Sequence, residues 1–195
     1  MNGDRPGGPP ARTGPDGDVE VYLSDEQDDV DIDIVRWERL ARAALVAEGV
    51  KGEAELNVLF VDEAHIADLN EEFLGASGPT DVLAFPLDAD LVDIADAHRR
   101  TGPDRAPLDP SDYPLLLGDI VVCPKVAARN APTHAGDLDD ELALLIVHGI
   151  LHVLGHDHAE PEETVRMRAR ELELLEQFHW NAPAPARFRQ EHDEP

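Results

Sequence analysis

Polar and apolar positions alternate in VEVYLS (19–24), the period of a strand with one covered face. The next segment, DIVRWERLARAALVAEG (33–49), is rich in helix formers and stops at Gly49, a residue suited to a helix C-terminus. ELNVLFVD (55–62) is a β-branched and aromatic run that predicts a strand buried on both faces. Asp62 then caps a helix whose apolar stripe is Ile66, Leu69 and Phe73, ending at Gly75. After Gly78-Pro79, TDVLAFP (80–86) predicts a short strand that Pro86 either ends or confines to a sheet edge. LLGDIVVCP (116–124) predicts a fourth strand, with Pro124 in the first turn of the helix that follows. Two further helices run from Asp137 to about Leu154 and from about Pro161 to Trp180, the second with Glu162 and Arg166 spaced as an i,i+4 pair. The order predicts an α/β (α+β) fold, one small mixed sheet of about four strands covered by about five helices.

Three stretches carry little to bury. Residues 1–18 hold five Gly and four Pro and read as a disordered arm. The stretch 88–114, with seven Asp, four Pro and three Arg, reads as a disordered insertion. Residues 181–195 read as a flexible tail. A single domain over 19–180 remains, long enough to bury a core without staples. The lone cysteine, Cys123, permits no internal disulfide, and no apolar run approaches the length of a membrane span, so a soluble cytoplasmic protein is expected. The net charge of -26 argues against unspecific adhesion to nucleic acid or to an anionic membrane.

The chemistry concentrates in HGILHVLGHDH (148–158), four of the nine histidines of the chain. ELALLIVHGILHVLG (141–155) is apolar nearly all round, the mark of a buried helix, and after Glu141 its only polar side chains are His148 and His152. Four residues apart, those rings project from one face. Gly155 permits a left-handed turn that brings the following residues back toward them. Three neutral imidazoles with an open fourth position describe a catalytic zinc site. His156 competes for the third place. The pattern H-E-x-x-H-x-x-G-x-x-H has ligands at relative positions 0, 4 and 10, which selects His148, His152 and His158, with Gly155 at relative position 7. In zinc peptidases the residue after the first histidine is the general-base glutamate; here it is Gly149, which weakens a peptidase reading. Asp157, beside His158, either orients a ligand or closes the turn.

HGILHVLGHDH resembles the H-G-x-L-H-L-x-G-x-D-H signature of the YbeY family of rRNA maturation factors, regarded as single-strand-specific endoribonucleases. GPTDVLAFP (78–86) is similar to the family's P-T-D-V-L-S-F-P segment, with Ala84 in place of the serine, and LLGDIVVCPKVA (116–127) to its L-G-D-I segment. The resemblance covers about residues 19 to 180. It implies a metal-dependent hydrolase fold and one zinc ion per chain, held by His148, His152 and His158. It implies action on single-stranded RNA in 16S rRNA 3′-end maturation, with the small ribosomal subunit or its assembly proteins as partners and neither DNA nor membrane. Many members carry an arginine in N-x-x-F-R before P-T-D; here NEEFLG (70–75) puts Leu74 there, with Arg129 a conceivable substitute. Two alternatives stand beside the nuclease: a non-catalytic ribosome assembly factor with a structural zinc, and, more distantly, a zinc peptidase. The general base is unassigned.

Overall fold

Every predicted element forms. The chain, a computed structural model described over residues 19–51, 53–87, 114–156 and 160–190, runs β1 (Val19–Asp25), α1 (Ile34–Ala47), β2 (Ala54–Phe60), α2 (Glu63–Leu74), β3 (Val82–Pro86), β4 (Leu115–Val122), α3 (Pro124–Asn130), α4 (Leu138–Val153) and α5 (Pro161–Phe178). The expected arm 1–18 and nearly all of the expected insertion lie outside the described residues. The helix starts follow local chemistry. Asp33, Asp62 and Asp137 each accept a hydrogen bond from a backbone N–H of the first turn, and Pro124 and Pro161 stand at first-turn positions that need no donor.

The sheet order is β1-β2-β4-β3, with β1, β2 and β4 parallel and β3 antiparallel at the edge, where Pro86 is tolerated. The register slips between Glu55 and Leu56, so that Gly118 rather than Leu117 faces Leu56. Gly118 has φ +152°, and a Cβ there would stand 2.3 Å from the Phe85 carbonyl oxygen of β3. Only glycine lets the edge strand approach so closely.

One face of the sheet carries the main core. Val19 and Val21 of β1, Leu56, Val58 and Phe60 of β2, and Ile120 and Val122 of β4 pack with Trp37 and Leu45 of α1 and with Leu144, Leu145, Ile146 and Ile150 of α4. Among the described residues the other face is covered at one end, where Ile66 of α2 packs on Leu83, Val121 and Cys123. The expectation that β2 is buried on both faces is therefore corrected: its burial alternates, and Glu55, Asn57 and Leu59 remain partly open. Phe73, expected within the α2 stripe, is 58% exposed and meets Phe85 edge-on. α2 reaches too little of the sheet to bury either.

Residues 181–190, expected to be loose, return along α4 and α5. Arg187 pairs with Asp137 and donates to Asp140 at 2.8 Å, Phe188 packs edge-on against Trp180, and Arg189 N–H donates to the His134 carbonyl. Composition hides these anchors because they are few and specific. Among the described residues no helix is long and apolar enough to cross a membrane.

Candidate metal centre

Helix α4 is buried along nearly its whole length, so every polar side chain on it needs a partner. His148 is 6% exposed, and its Nδ1 lies 2.7 Å from a carboxyl oxygen of Glu171, a side chain of α5 with no exposed surface. With the Glu171 carboxyl ionised, and so an acceptor only, His148 Nδ1 carries the proton and Nε2 keeps a lone pair. That Nε2 faces Nε2 of His152 at 3.0 Å, the rings crossing at 83° with centroids 4.4 Å apart. Two nitrogens on a tetrahedral zinc stand about 3.3 Å apart, so the pair already has the spacing of two ligands. His152 lies in the last turn of α4 and is half-buried.

Past the helix, Gly155 adopts φ +86° and the chain reverses. His156 then meets Glu48 at 3.4 Å, and Glu48 is also bound by Arg170 at 2.5 Å. Its imidazole is thus engaged at the end of α1. Asp157 and His158 lie outside the described residues.

Gly149 faces β4. A Cβ there would stand 2.8 Å from Cγ2 of Ile120, a fully buried β-branched residue with no freedom to retreat. The position that carries a peptidase's glutamate is therefore filled by the sheet. Neither the side chain nor its function has room.

A second group among the described residues has the composition of a metal site: Asp81, His134 and Glu141, all buried, with one potential ligand atom each within 4.8 Å of the others. Sequence reasoning missed it. Its available signal was Glu141, seven residues before His148 and hence on the same helix face. The group is internally satisfied. His134 Nδ1 meets one Glu141 oxygen at 3.1 Å, the Ala135 N–H donates to the other at 3.0 Å, and Asn130 donates to Asp81 at 3.1 Å. Burial pushes the Glu141 carboxyl above its ordinary range, against the N–H of Ala135 and the His134 ring, which lower it.

On the other sheet face the described residues form a groove of about 860 Å³, lined by Tyr22, Leu59, Phe73 and Phe85, with an Asn57–Asp119 hydrogen bond of 2.7 Å in its floor. It lies across the sheet from α4. Leu74 ends α2 and is 54% exposed. Arg129 pairs at 2.8 Å with Glu63, at the opposite end of that helix, so it does not stand in for an arginine at 74.

The sequence model of a protein family described as "Endoribonuclease YbeY" matches residues 22–179. A protein named "Endoribonuclease YbeY" from Salinispora tropica is 50% identical over 147 residues, 75% of this chain and 87% of that protein. Proteins of the same name from Thermobifida fusca and Frankia casuarinae are 46% identical over 146 residues and 42% identical over 157. These alignments cover 75% and 80% of this chain and 86% and 73% of the relatives.

Proposed function

The chain belongs to the YbeY endoribonuclease family, and on that premise we propose a zinc-dependent, single-strand-specific endoribonuclease that matures the 3′ end of 16S rRNA in the cytoplasm during small-subunit biogenesis. His148, His152 and His158 hold one zinc ion, and the RNA precursor together with the small subunit or its assembly proteins are the partners. One observation carries the metal assignment: two Nε2 atoms 3.0 Å apart in a buried helix, one of them fixed as a lone-pair donor by a buried carboxylate.

Zinc supplies polarisation of a phosphodiester oxygen and acidification of a water molecule. The protein's own residues do the rest. Glu171 keeps the His148 proton on Nδ1, α4 excludes water from behind the pair, and the half-buried edge of His152 is where a phosphodiester approaches. Gly149 leaves no room for a peptidase's base at that position, which weighs against the peptidase reading. The exposed Leu74, in place of a cation that would grip phosphate, favours slow cleavage, the feature that keeps the assembly-factor reading as the rival.

The test is cleavage of a single-stranded RNA by zinc-replete wild type and His152→Ala, beside 16S precursor 3′ ends in cells carrying each. Cleavage and maturation should both fail in the variant. Normal maturation by a folded variant that cleaves nothing would establish the assembly factor instead.

A further inference from the structure

Glu171 is a fully buried acid that no sequence motif singles out, and it stands directly behind a ligand of the proposed metal centre. Its second carboxyl oxygen accepts from Nε2 of Gln190 at 3.1 Å, and the same amide donates to the Arg168 carbonyl at 2.5 Å. Gln190 belongs to the segment that folds back after α5, so a chain of contacts runs from that segment through Glu171 and the His148 ring to the Nε2 pair.

We infer that Glu171 is the positioning residue of the metal centre, selecting the His148 tautomer that can ligate, and that Gln190 holds Glu171 in place. The inference rests on the zinc reading above. Both neighbours present donors: the Nδ1–H of His148 and the amide of Gln190. A carboxylate, with acceptors at both ends, is the group that satisfies both. Glu171→Gln has nearly the same shape but must turn its NH₂ toward one of them. Toward His148, it drives the proton to Nε2 and blocks the ligand; toward Gln190, it sets two donors face to face. The first orientation depopulates the ligating tautomer; the second keeps it and breaks the hold of Gln190 on residue 171. Residues behind a histidine ligand commonly change metal affinity by about ten- to a hundredfold.

The experiment uses the full chain and zinc alone. Zinc affinity is measured by competition with a chromophoric chelator, and imidazole ¹⁵N shifts are read in the zinc-free protein. In wild type, His148 should show the Nδ1–H tautomer; in Glu171→Gln it should mix both, with affinity about ten- to a hundredfold lower. A purely structural Glu171 would move the melting temperature alone and leave the tautomer and the zinc affinity of the folded variant as in wild type. A folded Glu171→Gln with wild-type affinity overturns the inference. Should that variant not fold, Gln190→Ala, on the half-buried segment, decides: a severalfold loss supports the inference and an unchanged affinity overturns it. A wild type whose zinc binding is absent, or indifferent to His148→Ala, takes the proposed function down as well.

Discussion

Along one face of α4, Glu141 and His148 are seven residues apart, about 10 Å by helical rise, and each belongs to a buried imidazole–carboxylate pair. In the first pair the carboxylate is on α4 and the histidine on the loop before it. Both Glu141 oxygens are taken, one by the ring and one by the Ala135 N–H. In the second pair the histidine is on α4 and the carboxylate on α5, and the ring's far nitrogen is directed at another nitrogen. Both carboxylates have each oxygen engaged, Glu141 by His134 and Ala135 and Glu171 by His148 and Gln190. The first pair pins a loop to a helix. What sets the second apart is the atom beyond the ring: Nε2 of His148 lies 3.0 Å from a second imidazole nitrogen, that of His152 on the same helix.

Breaking the His148–His152 pair should have the largest effect. His152→Ala should lower zinc affinity by more than about a hundredfold, since even the groups behind a ligand are commonly worth ten- to a hundredfold, and it should abolish RNA cleavage. Next comes the contact that sets α4 against the sheet. Gly149→Ala should cost about 1–3 kcal/mol in urea denaturation, through overpacking against Ile120. Gly149→Glu should cost more and yield no peptide hydrolysis.

The His134–Glu141 pair should respond to pH rather than to metal. The Glu141 carboxyl is raised by burial, so its favourable contribution is complete below the unfolded carboxyl's pKa and is lost as pH rises through the folded one. Glu141→Gln should flatten the stability profile across that window, measured by denaturation over a pH series, and leave zinc affinity unchanged. The smallest effect is at the exposed end of α2. Leu74→Arg should change stability by less than about 0.5 kcal/mol and leave zinc binding alone, while speeding cleavage of single-stranded RNA in a steady-state assay.

Much of this was legible in the chain. The caps at Asp33, Asp62 and Asp137 and the prolines at helix starts are local signals, and the helices begin where those signals lie. His148 and His152 share a face because helical period alone dictates it, and their Nε2 atoms meet. What depended on distant parts of the chain was not legible. Glu171 is 23 residues from His148 and carries no spacing that ties it to a ring on another helix. Asp81 and Glu141 meet only because the antiparallel edge strand lies beside α4. The half-open face of β2 depends on how little of the sheet a twelve-residue α2 can cover. The reason for Gly149 also waited for the fold, since Ile120 belongs to another strand.

The most direct measurement is zinc per chain, by elemental analysis after exhaustive dialysis, in wild type, His152→Ala and an Asp81→Asn/Glu141→Gln double variant. One zinc should remain in wild type and in the double variant, and none in His152→Ala. Zinc retained by His152→Ala and lost from the double variant would place the metal in the wrong pair and contradict the account.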